Sequence, residues 1–325
     1  MSLRELVVLG TSSAVPTRHR NHNGYFLRWD THGILFDPGE GTQRQMRLAK
    51  LAATDITRIC VTHFHGDHCL GLPGTIQSIA RDKAPHTVRV AYPAQGERYW
   101  QRLRHATAFH DTDVISPQPV HGTGTCLLGE SDLRITALPL RHSIPTYGYR
   151  LAEPDRWRML PDRLAAHGVH GPLIGLLQRQ GSITTPDGRR VDLADCARPR
   201  RGQVLAFVMD TAECDQAVEL AQDADMLIIE STYLDSEEHL ARAHGHLSAR
   251  QAGRIAARAK ARTLVLTHLS ERYEPQDDTL FVEQAAAEFT GSITLAHDLQ
   301  RIPLPSPNTR PPRGARPPSR RVRRR

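Results

Sequence analysis

The segment His63-Phe64-His65-Gly66-Asp67-His68 puts four side chains able to bind a metal within six residues. Imidazole nitrogens and carboxylate oxygens together suit a borderline-hard divalent ion such as zinc. So short a stretch cannot wrap all of them round one ion. Its alternation suggests that His63 and His65 face one metal while Asp67 and His68 face a second. Gly66 permits the sharp turn, and Gly71-Leu72-Pro73-Gly74 turns the chain into the next element. More chemistry sits at the ends of apolar runs: GILFD closes on Asp37, ICVTH on His63, LPLRH on His142, FVMD on Asp210 and LVLTH on His268. A lone His or Asp in such a place is usually a cap or turn residue. Five at once point to a site assembled at the carboxyl ends of strands, where rigid elements hold the side chains from beneath.

Strands must therefore underlie these runs. Short β-branched segments predict strands at residues 5–9, 33–36, 58–62, 87–91, 133–138, 204–209, 226–229, 263–267 and 292–296. Longer amphipathic segments predict helices at 41–53, 74–80, 97–108, 248–260 and 280–289. The alternation is that of a mixed α/β protein, with no repeat of fixed period. Two stretches break the pattern. Residues 153–202 are rich in Arg, Pro and Gly and carry nine Arg against six acids, with one short helix expected in GPLIGLLQRQG. Residues 305–325 hold eight Arg, six Pro and no acid, the composition of a disordered tail.

Over 325 residues the formal charge is +7. Without the tail, 34 basic residues face 35 acidic ones, so the basicity belongs to the tail and not to the body. Hydrophobic residues make up 39%, which excludes a disordered or collagen-like chain. No apolar run approaches the roughly 20 residues that cross a bilayer, and a secretory signal is not expected. Five cysteines without a CxxC pair read as reduced thiols, hence a cytoplasmic protein.

The HxHxDH loop, taken with the strand-end residues, resembles the metallo-β-lactamase superfamily over nearly the whole body. The resemblance implies an α/β four-layer αββα sandwich in residues 1–304, with two metals at one sheet edge. Carried onto this sequence, it makes His63, His65 and His142 ligands of the first metal and Asp67, His68 and His268 ligands of the second. Asp210 bridges the two, and Asp37 in FDPGEGTQRQ supports them by hydrogen bonds. Within the superfamily, LGTSSAVPTRHRN, FDPGEGTQRQ, THFHGDHCLGLPG, HSIPTYGY, MDT, LIIEST, HLSARQAG and LTHLSERY resemble the ribonuclease Z family, which matures tRNA 3′ ends.

That second resemblance implies a zinc-dependent endoribonuclease with two Zn²⁺ per subunit (Mn²⁺ also fitting the ligands), acting on precursor tRNA as a homodimer. Asp67 would orient or deprotonate the attacking water, and His246, held by Glu230, would protonate the leaving 3′ oxygen. Residues 153–202, with Gly171-Pro172 at their centre, resemble the family's flexible tRNA-gripping arm, or exosite. Gly171, Pro172 and Arg179 are accordingly expected RNA contacts, and Arg18 and Arg20, in the loop after the first strand, are expected to contact RNA near the site. The chain departs from the family where Ile229-Glu230 replaces the usual His-Glu, where Ala212 follows Asp210-Thr211 in place of Arg, and where the arm carries Arg in place of Lys. A small-molecule phosphodiesterase or arylsulfatase-like hydrolase of the same fold is the alternative, and it would need neither the arm nor the His246–Glu230 pair.

Overall fold

Alternation along single strands decides the architecture. In the strand Val204–Val208, Leu205 and Phe207 pack with Tyr25, Leu27 and Phe36, whereas Val204, Ala206 and Val208 pack with Leu220, Ala252, Ile255 and Phe281. The strand His32–Phe36 does the same: Ile34 and Phe36 enter the first cluster, and Leu35 meets Met46, Leu72, Ile76 and Ile79. With side chains alternating at period two, both faces of each strand are buried, one by a second sheet and one by helices. The computed structural model, which describes residues 3–122, 125–129 and 132–306, is accordingly a helix–sheet–sheet–helix sandwich. Residues 307–325, nearly all of the expected disordered tail, lie outside the described residues.

Among the described residues each of the two large sheets has seven strands. The first runs Arg301–Pro303, Arg4–Gly10, Gly24–Trp29, His32–Phe36, Arg58–Cys60, Val88–Pro93 and Ile115–Val120. The second runs Ser292–Leu295, Thr263–Thr267, Met226–Glu230, Val204–Val208, Tyr147–Ala152, Arg134–Pro139 and Thr125–Gly129. The parallel strands of both sheets carry the chemistry. Asp37 follows His32–Phe36, His63 follows Arg58–Cys60, Asp210 follows Val204–Val208, Glu230 ends Met226–Glu230, and His268 follows Thr263–Thr267. Between the sheets Phe207 lies at the centre, its ring 4.4 Å from that of Phe36 and 5.3 Å from that of Tyr25.

All nine expected strands and five expected helices are present, with shifted ends. The first helix is shorter than 41–53, spanning Thr42–Leu48, because Lys50 turns left-handed at φ 58. Strands Gly24–Trp29 and Tyr147–Ala152 and helices Asp215–Ala221 and Glu238–His244 go beyond the expectation. In GYFLRW and YGYRLA, glycine and arginine interrupt the apolar pattern that marks a strand.

Two compact units emerge, Met1–Ala152 with Val204–Pro305, and a second built on Glu153–Gln203. The latter has its own small core of Leu164, Val169, Leu177, Ile183, Val191 and Cys196, and so is more than one helix in a loop. Its helix Pro172–Gln180 is bracketed by Gly171 and Gly181, both with positive φ, and starts with proline at a position where the missing N–H costs nothing.

Phe207→Ala removes the aromatic ring that both sheets share. It is expected to destabilise the protein by about 3–5 kcal/mol, read as a lowered denaturant midpoint with unchanged slope.

Candidate active site

Three of the strand-end residues occupy the left-handed region: Asp37 at φ 42, Asp210 at φ 47 and His268 at φ 62. Non-glycine residues rarely adopt such angles, though Asp and His do so more readily than most. Here the turn reverses the chain at once and delivers the side chain to the sheet edge. The His63–His68 loop is held against this edge by close backbone packing. A Cβ on Gly39 would stand 2.1 Å from the carbonyl of Asp67, and one on Gly71 2.0 Å from the carbonyl of Gly39. Only glycine fits at either place, and Gly71 N donates to Pro38 O at 2.8 Å.

Two groups of donor atoms result. His63 Nε2, His65 Nδ1 and His142 Nε2 form the first, with His65 Nδ1 3.0 Å from His63 Nε2 and 3.2 Å from His142 Nε2. Asp67 Oδ2, His68 Nε2 and His268 Nε2 form the second, at 3.2–3.4 Å from one another. Asp210 faces both. Its Oδ2 lies 3.4 Å from His63 and 3.7 Å from His142, while its Oδ1 lies 3.1 Å from His268 and 3.3 Å from His68.

Hydrogen bonding fixes the tautomers. Thr62 Oγ1 donates to Asp37 Oδ2, so it accepts from His63 Nδ1 at 3.0 Å. Thr232 Oγ1 donates to Glu230 Oε2, so it accepts from His268 Nδ1 at 2.8 Å. His142 Nδ1 donates to Gly245 O at 3.0 Å and His68 Nδ1 to Asp37 Oδ2 at 2.8 Å. Each of these four rings therefore turns a bare Nε2 inward, the arrangement by which outer partners orient metal-binding histidines.

The residues fit a metal. Ligands 2.0–2.1 Å from a tetrahedral ion lie roughly 3.3 Å apart, which is the spacing found here. Asp210 Oδ1 is buried and makes no hydrogen bond despite its close imidazoles. Burial disfavours charge on His68, yet Asp210, Asp67 and Asp37 raise its pKa well above the usual value. Three carboxylates gathered round this ring make a pocket whose charge favours a cation.

Beside the centre, Glu230 is fully buried at the end of its strand. Its carboxylate accepts from Thr211 N, Thr232 Oγ1, Leu247 N and His246 Nδ1, the last at 3.1 Å. Burial opposes protonation of His246, but Glu230 and Asp210 outweigh it and push the imidazole up to about 9. Asp210, His246 and His268 form a third group of potential ligands, but His246 Nδ1 is committed to Glu230. His246 lines an open cleft of about 1110 Å³ together with His65, Asp67, His142, Asp210 and His268.

Residues 193–269 match the family described as Beta-lactamase superfamily domain, and residues 4–108 match the one described as Anti-Pycsar protein Apyc1. Among solved structures, the chain is similar to the metallo-β-lactamase fold protein YhfI from Bacillus subtilis, with TM-score 0.66, 16% identity, and coverage of 93% of this chain and 99% of that one. It is also similar to the short form of human tRNase Z, with TM-score 0.64, 25% identity, and coverage of 93% and 99%. Ribonuclease Z of Thermobifida fusca is 62% identical over 306 residues, which is 94% of this chain and 96% of that one. The chain belongs to the ribonuclease Z family.

In this ribonuclease Z family member the seven residues expected to bind metal are brought together, as are Asp37, Glu230 and His246. The expected RNA contacts divide. Arg18 and Arg179 are exposed, and Gly171 and Pro172 open their helix at the surface. Arg20 is a correction. Only 5% exposed, it donates to Thr11, to Ala296 O and to Asp278 at 2.7 Å, so its guanidinium ties the first loop to the body and is not free for phosphate. Thr62, Thr232 and Gly245 escaped the sequence reading, because each acts through a hydrogen bond to a ligand and not through its own chemistry. Their signal was position, with Thr62 beside His63 and Thr232 beside Glu230.

Asp37→Ala removes the acceptor that orients both His68 and the Thr62 hydroxyl. Metal affinity is expected to fall about 10–100-fold, measured by competition with a chromogenic chelator, with the fold retained by circular dichroism.

Proposed function

We infer that this chain is a zinc-dependent endoribonuclease that removes the 3′ trailer from precursor tRNA and leaves a 3′ hydroxyl. Near full-length likeness to proteins named ribonuclease Z supports the reading. The observation that carries it is the Glu230-held imidazole of His246 at the rim of a two-group, Asp210-bridged donor set. His63, His65 and His142 would hold one ion, Asp67, His68 and His268 a second, with Asp210 shared. Two divalent ions there would polarise a phosphodiester and make water acidic enough to attack it.

The chain's own groups do the rest. Asp67, 8% exposed and facing the cleft, keeps its pKa below the usual carboxylate range: burial opposes this, and His68 and His268 outweigh it. As an anion it can accept a hydrogen bond from an attacking water and align it. The 3′ oxygen leaves well only if protonated. His246, charged through neutral pH and with Nε2 free, can supply that proton, while Glu230 holds the ring and balances its charge. The proposal extends to a homodimer in the cytoplasm; the free thiols of Cys60, Cys69, Cys196 and Cys214 suit a reducing compartment. Among the described residues no helix is long and apolar enough to cross a membrane.

Purified protein incubated with a 3′-extended precursor tRNA is expected to cut once at the trailer junction. Chelator should stop the reaction and zinc or manganese restore it. Absence of cleavage under both metals would overturn the reading. His246→Ala is expected to keep about two metal ions per chain while kcat falls by about 10²–10⁴; unchanged cleavage would remove His246 as the acid.

A further inference from the structure

Three arginines line the open cleft: Arg141, Arg242 and Arg272. Two of them are engaged with carboxylates. Arg242 Nη2 lies 3.4 Å from Glu238 Oε1, and Arg272 Nη1 lies 3.9 Å from Glu237 Oε1. Glu213, an acid that also lines the cleft, is turned to Arg254 and Arg258. Arg141 is exposed and has no carboxylate partner among the described residues.

This guanidinium hangs from a fixed point. Arg141 directly precedes His142, and its backbone is held from two sides. Arg141 N donates to Thr211 Oγ1 at 3.1 Å, and Ala212 N donates to Arg141 O at 2.7 Å. Thr211 N in turn donates to Glu230 Oε1 at 2.7 Å, while His142 Nδ1 donates to Gly245 O. The anchor of Arg141 is thus tied to the segment that follows Asp210, to Glu230 and to the residue before His246. Ala212 stands here in place of the family's Arg, so within this backbone pair Arg141 alone offers charge to the cleft.

Position limits what the guanidinium can hold. The carboxylates of Asp67 and Asp210 pair with imidazoles and not with Arg141, which therefore stands beside the donor set and not within it. A phosphodiester placed across the two donor groups leaves the next phosphate of an RNA strand outside them. Arginine's planar fork can take two oxygens of such a phosphate at once, which a lysine ammonium cannot match.

We propose that Arg141 is a substrate-binding residue that grips the RNA phosphate next to the scissile one and so aligns the strand over the donor set. The inference rests on the ribonuclease Z reading for its substrate and deepens it by naming a contact at the site itself. A small diester with a single phosphate gives Arg141 nothing further to hold.

The test compares a 3′-extended precursor tRNA with bis(p-nitrophenyl) phosphate as substrates of the zinc-loaded enzyme. Arg141→Ala is expected to raise KM for the tRNA about 10–100-fold, the worth of one charge-assisted contact, with kcat changed far less. The ratio of kcat/KM for tRNA to that for the small diester should fall by the same factor. For tRNA, the slope of log kcat/KM against log salt should become shallower by about 0.7. Arg141→Lys keeps the charge but not the fork, so the slope should stay near that of the parent and KM should recover in part. Equal losses on both substrates, or a loss of bound metal, would make Arg141 a support of the metal centre and overturn the proposal. An unchanged KM for tRNA in the alanine variant would do the same. If the parent chain turns over the small diester but leaves precursor tRNA intact, it is the ribonuclease Z reading that falls.

Discussion

Everything at this site depends on one shared carboxylate. Asp210 is buried between two groups of imidazoles, with one oxygen turned to each, and neither the backbone nor a hydroxyl satisfies its Oδ1. A buried carboxylate in that state is costly unless positive charge stands beside it. The neighbouring rings respond by opposite shifts. His68, against three carboxylates, is driven toward the charged form, whereas His63, buried among other imidazoles, is driven well below its usual pKa. The donor set brings imidazole nitrogens and carboxylate oxygens together in groups that could each hold a metal ion.

Meeting that constraint requires the ends of several parallel strands to converge, and the sandwich does this with little freedom to spare. Left-handed backbone at Asp37, Asp210 and His268 costs energy that packing must compensate. The strands below them are buried on both faces, so the ends cannot relax without disturbing the inter-sheet core around Phe207. Glycines 39 and 71 complete the arrangement by letting two loops touch backbone to backbone. Strain at the edge and density in the middle are therefore parts of one device.

Much of this was legible in the sequence, because the residues that do the chemistry also punctuate the strands. A run such as LVLTH announces both a buried parallel strand and the imidazole at its end, and the structure has the strand Thr263–Thr267 with His268 beyond it. What escaped notice is what depends on distant partners. Arg20 reads as a free cation in a polar loop, yet Asp278 claims it across 258 positions of sequence. Thr232 reads as an ordinary strand-end threonine, yet its hydroxyl fixes which nitrogen of His268 is bare. Strand Tyr147–Ala152 was hidden by its own composition, since Gly148 and Arg150 break the alternation that the neighbouring strands keep. Local pattern reveals elements and reactive groups; it does not reveal which hydrogen bond turns a ring.

Net charge illustrates the same limit. Apart from the tail, the chain is close to neutral, which on its own argues against a polyanionic substrate. The distribution reverses that inference. Four carboxylates, Asp37, Asp67, Asp210 and Glu230, are buried together at and beside the donor set. Arginines are spread over the second unit, where strand register gathers four of them on one exposed face. A sum over the chain does not show where either kind of charge stands.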